Sequence, residues 1–566
     1  MWDSTRRSDR FATLRRFVAP ALLAVASGSA LAQASMVPTP HPVYDWLQYQ
    51  RVAGRLPTYQ HEVRPMSRAT IVGHLTTLAA MEGRLSRGER NLLDDFRNEF
   101  EMERLVRKRG WSRTLATEFP RSIARAIKER HDPVLLARGS DTSLVSGAVY
   151  GALGGSVLSL DDTAASSKYA TSQLVRAFFN TSYGVGWHFE YDNLYAAQSP
   201  HLIRRIPRYN TEALKINSDA SEEYESFVSL RARRWFEAYM GWGGQALGAA
   251  IADPLVLRPD ATPFPSMRVY FGGPRLNLVA LHGALRSANV LDSSGTPSVP
   301  VYNRSAPERF FASHRLTWMP HQRLSLVVHE QTVYANRGPD LTYLNPLVPM
   351  LLTQERVGDR DNLMVGGDAI YRPRDGTEIT GAFLLDDRSA VDPAAPTFGP
   401  FKKVAQLGVE QQLLTGVRLG VGYTWTDPWA YTHWIALNTW ESGGKPLGPV
   451  IGPNSEELAV RLTAWLPFRT RLMAGYRRAK RGLDPAAADT NTSLCVGGNL
   501  LCGTLAKESP RFQGADVHVV GRVDLEAWTE PIRGIPVLLT VRDDHVFQGT
   551  RLETFRFVNL TVRFGY

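Results

Sequence analysis

The sequence feature that most constrains the fold is a strict alternation of apolar and polar residues near the end of the chain. From Val558 to Tyr566 every second residue is apolar, while Asn559, Thr561 and Arg563 lie between them. Successive side chains of a β-strand point to opposite faces of the sheet. The segment is therefore predicted to form a strand with one apolar face and one mostly polar face.

This period of two residues continues over most of the chain, from about Leu144 onwards. Residues 516–528 are a clear example, because Arg522, Asp524 and Glu526 share one face while the other face is largely apolar. Three successive charged residues on one face would be costly against a dry core, but they suit a water-filled lumen. The pattern therefore favours strands that line a wet interior.

The connections between the predicted strands alternate in length. Short turns, such as Gly273-Pro274 and Thr415-Gly416, are followed by long polar loops that include residues 334–360 and 428–454. We count about 18 strands, and bacterial outer-membrane barrels have even strand numbers, short periplasmic turns and long external loops. The prediction is a mainly β fold, a large antiparallel transmembrane β-barrel over residues 140–566.

The composition is consistent with such a barrel. Of the 566 residues 43% are hydrophobic and 21% are charged, and no apolar stretch reaches the roughly 20 residues that a membrane-spanning helix needs. The formal net charge of +10 suits an acidic partner, such as an anionic polysaccharide or the phosphates of lipopolysaccharide. No nucleic-acid partner is predicted, because no basic helix carries interleaved aromatic residues.

Two different patterns precede the barrel. Residues 1–34 hold five arginines, a short apolar stretch and small residues, which predicts a cleaved secretory signal peptide and export to the cell outer membrane. Residues 35–135 have helical spacing, and Ser86 with Glu89 matches a capping box. We predict that this second segment is a small periplasmic helical bundle whose periplasmic partner is unknown.

The chain contains two cysteines, Cys495 and Cys502, which flank a glycine-rich stretch. In an exported protein this spacing predicts a small disulfide-closed loop, and two free thiols are the alternative. A metal site is not predicted, because no histidine lies near either cysteine in the sequence.

Catalytic motifs are not evident, so we predict that the protein is not an enzyme and needs no cofactor. A phosphate-binding glycine loop, a nucleophile elbow and a zinc-binding helix motif are all missing from the sequence. The residues that permit a hydrolase reading are His329, Glu330, Asp386 and Asp387. The alternative is that these are lumen-lining polar residues paired with arginines.

The best binding candidate is the loop 428–454, which is rich in aromatic residues. Aromatic rings stack on the apolar faces of sugars, and the candidate residues of this loop are Trp429, Tyr431, His433, Trp434 and Trp440. The alternative is an aromatic girdle at the level of the lipid headgroups.

A second long loop adds two candidate polysaccharide-binding residues, Tyr343 and Asn345. The apolar stretch from Leu347 to Leu352 follows them, and we expect it to fold inward and constrict the lumen. In the lumen itself, Arg461 and Arg522 can attract uronic acids or pair with neighbouring acidic residues.

A series of short motifs extends over nearly the whole chain after residue 34. The motifs, in chain order, are His41-Pro42-Val43-Tyr44-Asp45-Trp46-Leu47, Arg64-Pro65-Met66-Ser67-Arg68, His314-Arg315-Leu316, Glu330, Tyr343-Leu344-Asn345-Pro346, Asp361-Asn362, Asp386-Asp387, Tyr431-Thr432-His433, Leu447-Gly448 and Gly452-Pro453-Asn454-Ser455-Glu456-Glu457-Leu458. In their order and spacing, these motifs resemble the capsule assembly Wzi family.

This resemblance implies an 18-stranded outer-membrane barrel with a periplasmic helical bundle. It further implies a lectin that binds and anchors capsular or extracellular polysaccharide at the cell surface without catalysis. A porin-like channel for sugars or anions is the alternative function. The resemblance does not fix the sugar.

Overall fold

The structure is a computed structural model that describes residues 34–562 apart from a set of short segments. The segments outside the description are 101–111, 114–135, 140–143, 159–167, 182–183, 197–219, 233–234, 287–307, 359, 391–397, 434, 444, 468, 486–487, 489–493, 501–509, 533–534 and 549–550. Trp434, Cys502 and residues 1–33 of the predicted signal peptide therefore lie outside the described residues.

The described chain is dominated by strands of eight residues or more, of which there are eighteen. They are β6 Leu144–Leu158, β7 Lys168–Thr181, β8 Val185–Ala196, β9 Ala220–Ala232, β10 Phe236–Gly243, β12 Phe264–Gly272, β13 Leu276–Leu285, β14 Arg309–His321, β15 Leu324–Ala335, β16 Asn362–Arg374, β17 Thr377–Ala390, β18 Phe398–Leu414, β19 Val417–Thr426, β22 Ser455–Leu466, β23 Thr470–Leu483, β24 Asp516–Ile532, β25 Ile535–Gln548 and β26 Arg551–Val562.

Eight short strands complete the description. They are β1 Met36–Val37, β2 Val63–Arg64, β3 Met66–Ser67, β4 Ser112–Arg113, β5 Leu136–Gly139, β11 Ala246–Leu247, β20 Glu441–Ser442 and β21 Lys445–Pro446. The long strands, with β4 and β5 between β26 and β6, form one closed antiparallel barrel, and the other short strands pair as β1–β3, β2–β11 and β20–β21. The predicted mainly β fold with a large antiparallel barrel is confirmed.

The two faces of the wall follow the alternation in the sequence. On β22 the even-numbered Leu458, Leu462 and Leu466 are exposed, whereas Glu457 and Trp465 are buried on the opposite, inner face. Similar outward apolar residues are exposed around the barrel, and they include Phe271, Leu316, Trp318, Val328, Tyr371, Phe383, Leu407, Tyr423, Leu472, Tyr476, Val523, Leu525 and Leu560. The outer wall therefore presents an apolar band.

Three helices precede the barrel in the sequence: α1 Val43–Val52, α2 Arg68–Ala79 and α3 Arg87–Phe100. The predicted capping box forms, because Ser86 N donates to Glu89 Oε2 at 2.7 Å and Glu89 N donates to Ser86 Oγ at 3.2 Å. The helices share an apolar core with one another and with Trp465 of the inner wall. We call residues 34–100 the helical unit.

The helical unit lies at the end of the barrel where the turns are short. Gly376 N donates to Val52 O at 2.7 Å, and Gly416 N donates to Tyr49 Oη at 2.7 Å. Both glycines lie in short turns between long strands. Buried ion pairs, such as Arg469 with Glu99 at 2.6 Å, strengthen the attachment. None of the helices in the described ranges is long and apolar enough to cross a membrane.

Candidate functional site

Two loops from the other end of the barrel fold into its lumen. They are residues 244–263, between β10 and β12, and residues 427–454, between β19 and β22, and we call them the lumen loops. They join each other, because Arg258 N donates to Leu447 O at 2.9 Å. With the inner wall they form one apolar cluster of buried side chains that includes Leu255, Val256, Leu257, Val279, Phe311, Val333, Met364, Leu384, Tyr431, Trp440 and Leu447.

The aromatic residues of the second lumen loop hold the first one in place. Tyr431 Oη donates to Leu255 O at 3.0 Å, and Trp440 Nε1 donates to Val256 O at 3.0 Å. The Trp440 ring also meets Phe311 of β14 edge-on, with 5.1 Å between ring centroids. A buried tyrosine or tryptophan contributes packing from its ring and specificity from its single polar atom. These rings therefore fix the loop geometry.

Glycines in the wall make room for the first lumen loop. Ile251 lies against Gly408, Gly420 and Gly422, where an added Cβ would come within 2.7, 3.1 and 2.9 Å of its side chain. A glycine inside a strand often marks a position where another part of the protein approaches the backbone closely. The three glycines thus form a socket for Ile251 on the inner wall.

A buried arginine anchors the second lumen loop. Arg309, the first residue of β14, pairs with Glu441 and donates to Thr439 O and Arg286 O, both at 2.7 Å. Both charged side chains are almost fully buried. Removal of one partner of such a pair leaves an uncompensated charge in the interior, so this contact fixes the loop strongly.

The lumen loops also reach the charged part of the inner wall through Asp253. Its carboxylate lies 3.5 Å from Arg477 Nη1, and Val450 N donates to it at 3.1 Å. Burial raises the pKa of Asp253, but Arg477 and the Val450 N–H outweigh burial, so its pKa lies below the ordinary value. Asp253 is therefore charged at neutral pH and occupies one side of Arg477.

Four arginines on β22 and β23 form a row along the inner wall, which we call the arginine track. On β23 the inward positions include Arg471, Arg477 and Arg481, and Arg461 of β22 lies beside Gly475 in the same register. At about 3.3 Å per residue, Arg471 and Arg481 are about 33 Å apart along the strand. The track thus runs from the helical unit towards the long-loop end.

The members of the track differ in their partners. Arg471 pairs with Asp45 of the helical unit and with Glu526, and Arg477 pairs with Asp253. For the part of the chain that the structure describes, Arg461 and Arg481 have neither a hydrogen bond nor an ion pair, and both are half-buried. These two guanidinium groups are therefore available to an anionic ligand.

Neighbouring strands carry compensated charges instead. Arg522 of β24 makes a bidentate contact with Asp544 at 2.7 and 3.0 Å, and Arg542 of β25 donates to Asp524 at 2.9 Å. Arg461 and Arg522, which the sequence assigned to the lumen, both lie on the inner face. Arg522 pairs with Asp544, whereas no acidic residue in the described ranges forms an ion pair with Arg461.

The predicted sugar-binding residues of loop 428–454 are buried. Trp429, Tyr431, His433 and Trp440 are each at most 3% exposed, and Trp434 lies outside the described residues. Burial lowers the pKa of His433 to about 3, so this ring is neutral. In this structure none of the four presents a free ring face to a polymer, and their role in binding stays a prediction.

The expectation that the loop 334–360 folds inward is wrong. This segment contains two helices, α4 Leu341–Leu344 and α5 Met350–Val357, and it lies on the outer wall. Tyr343 is buried there against Tyr334, whereas Asn345 is exposed. The physical reason is that Tyr343 and Met350 pack against the outer face of the wall, while Leu347, Leu351 and Leu352 are exposed on the opposite side of the segment. Tyr343 and Asn345 are thus separated from the lumen.

The residues of the hydrolase reading do not form one cluster. His329 is buried on the inner face, 3.5 Å from Asp368, while Glu330 faces outward, 3.0 Å from His314. Asp386 accepts a hydrogen bond from Tyr431 N at 2.5 Å, and the side chain of Asp387 is outside the description. Among the described residues no group of three histidines, cysteines or acidic residues is arranged to hold a metal ion.

A second concavity lies at the short-turn end, between α2 and the wall. It has a volume of about 580 Å³ and is lined by Thr70, His74 and Thr77 of the helix and by Glu237 and Arg268 of the barrel. Burial lowers the pKa of His74 to about 4. The cavity is lined by both apolar and polar side chains and contains both signs of charge.

Arg477, Arg481 and the lumenal Asp253 are not among the residues that the sequence patterns single out. The signal was present, because the β23 sequence holds basic residues at alternating positions 471, 477 and 481. It was masked by Arg478 and Lys480, which interrupt the pattern. The cysteine prediction gains one observation, since Cys495 is disulfide-bonded, while Cys502 lies outside the described residues.

Comparison with known proteins finds only distant structural resemblances. No family model and no curated protein matches the chain. The solved structures that resemble it include the Escherichia coli protein Wzi, described as an outer membrane protein involved in group 1 capsule assembly and a carbohydrate binding beta-barrel, with a TM-score of 0.48, 11% identity and coverage of 80% of this chain and 94% of that chain.

Two further solved structures give similar values. Pseudomonas aeruginosa OprD matches with a TM-score of 0.39 and 12% identity, covering 74% of this chain and 95% of that chain. Acinetobacter baumannii OccAB2 matches with a TM-score of 0.42 and 10% identity, covering 76% of this chain and 99% of that chain. Likeness at these levels carries no argument about function, so the resemblance to the Wzi family stays a hypothesis.

Proposed function

We propose that this chain is an outer-membrane β-barrel that binds and anchors an anionic capsular or extracellular polysaccharide at the cell surface, without catalysis. The proposal of a membrane location rests on the outward apolar band, in which residues such as Val328, Leu407 and Leu552 are more than half exposed. A contiguous apolar belt of this size is unfavourable in water. Outer-membrane barrels carry such a band on their lipid-facing surface.

The observation that carries the binding function is a pair of arginines on the inner wall, Arg461 and Arg481, for which the described part of the chain supplies no partner. Arg481 pairs in register with Ser455, the first residue of β22, so it lies near the long-loop rim. Arg461 lies six residues further along β22, about 20 Å deeper. An arginine fork recognises a carboxylate in a bidentate manner. Uronic acids of a polymer that enters from the rim thus meet Arg481 first.

Anchoring rather than transport is favoured by the way in which the lumen is filled. The lumen loops are fixed by the buried Arg309–Glu441 pair and by the Ile251 socket, and the helical unit is attached at the opposite end. A polymer end that pairs with the rim arginines is then held above well-packed protein. In this proposal the helical unit, at the short-turn end of the barrel, lies on the periplasmic side of the membrane.

The second candidate is a porin-like channel for sugars or anions. Two observations favour it: Arg461 lies deep in the lumen and has no partner among the described residues, and a cavity of about 580 Å³ lies beside α2 at the short-turn end. A channel would use these features as steps of an anion path.

The first test is polysaccharide binding by the purified protein in detergent. Polygalacturonate serves as the anionic probe and dextran as the neutral control, with binding measured by titration calorimetry. We expect polygalacturonate to bind with an affinity that falls as salt is raised, since exposed charges are screened. Arg481→Gln should weaken binding by about ten- to a hundredfold, because a charged hydrogen bond contributes about 1.5–3 kcal/mol. Equal binding of both polymers contradicts the proposal.

Conductance in planar bilayers separates the two candidates. The anchoring function predicts little current through the wild-type protein, and the channel predicts steady anion-selective steps that Arg461→Gln reduces. In cells, a deletion strain should make normal polymer and shed it into the medium, as measured by uronic-acid assay of cell-bound and released fractions. Unchanged attachment together with large conductance would favour the channel.

A further inference from the structure

One part of the outer wall has the wrong polarity for a surface that faces lipid. On β14 and β15 the lower outward residues, Leu316, Trp318 and Val328, are exposed and apolar. Two residues further towards the long-loop end, the outward positions are His314 and Glu330. Their side chains lie 3.0 Å apart on the outside of the barrel.

These polar residues are nevertheless hidden. His314 is buried, and so are Thr332 and Tyr334, which follow Glu330 on the same outward face of β15. The cover is the segment 336–361, which contains α4 and α5 and which we call the outer-wall hairpin. Its Tyr343 and Met350 pack with wall residues in one small apolar cluster that also contains Ala312, Tyr334 and Leu363.

Polar contacts fasten the hairpin to the wall. Glu330 Oε2 accepts from Met350 N at 2.9 Å, and His314 Nε2 lies 3.1 Å from Tyr343 O. At the upper end, Tyr343 Oη donates to Asp361 at 2.7 Å and Arg337 Nη1 donates to the same carboxylate at 2.8 Å. Buried polar groups are normally satisfied in this way, so the hairpin is a fixed part of the wall.

The hairpin descends along the outside of the barrel and returns. It leaves β15 after Ala335 at the rim, reaches His314 at Tyr343, turns, and passes Glu330 at Met350 before it rejoins the rim at Asn362. His314 is five residues from Arg309, the residue of β14 at the long-loop rim, which corresponds to about 16 Å along the strand. The lowest part of the hairpin is therefore the turn 345–349, on the side of the apolar band.

The surface that the hairpin turns away from the wall is apolar at this lower end. Leu347 in the turn is 82% exposed, and Leu351 and Leu352 in the first turn of α5 are 53% and 52% exposed. Further along α5 the exposed residues are Glu355 and Arg356, nearer the rim. Hydrophobicity therefore changes to charge with height, as it does across the boundary between acyl chains and headgroups.

The exposed leucines continue the apolar band of the barrel. Glu330, which lies under the hairpin, pairs in register with Val365, which is exposed on the next strand. Val328, two residues lower, is 65% exposed. Lipid that covers Val328 and Val365 therefore extends to the turn of the hairpin without a gap.

We propose that the outer-wall hairpin is a lipid-binding element that inserts Leu347, Leu351 and Leu352 among the acyl chains of the outer leaflet. It replaces a polar patch of the wall by an apolar surface, and it sets Glu355 and Arg356 at headgroup level. The proposal rests on the membrane location proposed above. The occupant of this surface is lipid rather than a second copy of the chain, because the leucines are continuous with the band and graded with height.

The test is site-directed spin labelling of the full chain in vesicles of phosphatidylethanolamine and phosphatidylglycerol. Nitroxides are attached to Leu347→Cys in the turn, Glu355→Cys on the upper part of α5 and Val328→Cys in the band. The disulfide-bonded Cys495 does not react, and unmutated protein gives the background. Collision with oxygen, which concentrates in lipid, is compared with collision with a water-soluble nickel chelate.

We expect oxygen collisions to dominate at positions 347 and 328 and nickel collisions to dominate at position 355. If 328 is in lipid but 347 is in water, the hairpin proposal is overturned while the membrane location stands. If 328 is also in water, the membrane location itself fails. Dipolar broadening between labels at 347 in two copies would assign the leucines to a protein contact and overturn the proposal.

Discussion

The lumen loops and the outer-wall hairpin begin at the same end of the barrel and finish on opposite sides of its wall. Both are rich in apolar residues, and both bury aromatic rings against the same three strands, β14 to β16. The lumen loops place Trp440 against Phe311 inside, and the hairpin places Tyr343 against Tyr334 outside. The side is therefore not decided by the composition of the loop.

The residues of the wall determine on which side each loop packs. Near the rim of β14 to β16 the inner face is apolar, with Phe311, Val333 and Met364, while the outer face holds His314 and Glu330. This is the reverse of β22 to β25, where charged residues line the inside. A loop that carries both apolar residues and polar groups can cover either face of the wall. Each loop lies on the face whose residues form hydrogen bonds or ion pairs with it: Arg309 with Glu441 inside, and Glu330 with Met350 N outside.

The largest effect that would sharpen this comparison is expected from Arg309→Ala. Glu441 would keep its charge in the interior but lose its ion pair with Arg309. Breaking a buried pair costs about 3–5 kcal/mol, so we expect the lumen loop 427–454 to be released while the hairpin stays protected. Hydrogen exchange measured by mass spectrometry follows both segments in one sample. The control is Arg323→Ala, whose ion pair with Asp375 is exposed. Equal deprotection of both segments would show that they are not independent.

The second largest effect is expected from a change in the Ile251 socket. Ile251→Ala should destabilise the first lumen loop by about 2–4 kcal/mol, because it removes buried methyl groups and leaves a cavity between three glycines that cannot fill it. Bilayer recordings should show brief openings that are rare in the wild type. Gly273→Ala is the matched control, since an added Cβ there meets nothing within 4 Å. A silent Ile251→Ala variant would mean that the socket does not hold the loop.

A change of pH should separate the two regions as well. Burial, and to a lesser extent Lys402, holds the pKa of His433 at about 3. The unfolded ring has a pKa near 6.5, so the stabilisation is complete above about pH 6.5 and is lost as the pH falls towards 3. At pH 5 the second lumen loop should have lost about 2 kcal/mol. His433→Asn, which keeps an acceptor for Ile435 N, should remove this dependence in exchange measurements.

The sequence predicts the fold correctly where apolar and polar residues alternate regularly along a strand. On β24 the predicted charged face of Arg522, Asp524 and Glu526 is the inner face, since Arg522 and Asp524 pair with β25 across the lumen side. The barrel and the capping box of α3 follow from local patterns in the same way. Each of these features depends on neighbours in sequence or on the period of the strand.

The remainder depends on contacts that a period of two cannot specify. Alternation separates the faces of β15 but does not say that Val333 faces inward and Glu330 outward, because the usual polarity is reversed there. The inward folding predicted for Leu347 to Leu352 failed for this reason. The Ile251 socket likewise cannot be predicted from the sequence. In a strand, Gly408, Gly420 and Gly422 alone indicate only low β-propensity, and their partner Ile251 lies more than 150 residues earlier in the chain.

The smallest effect concerns the anchor of the hairpin itself. Glu330→Ala removes the acceptor of Met350 N and the neighbour of His314, which should destabilise the hairpin by about 1–3 kcal/mol and leave the lumen loops unchanged. Glu355→Ala, on the exposed face of α5, should change stability by less than about 0.5 kcal/mol. Exchange at residues 343–357 measures both. If Glu330→Ala loosened the lumen loops instead, the wall between them would transmit strain, and the two regions would form one cooperative unit rather than two.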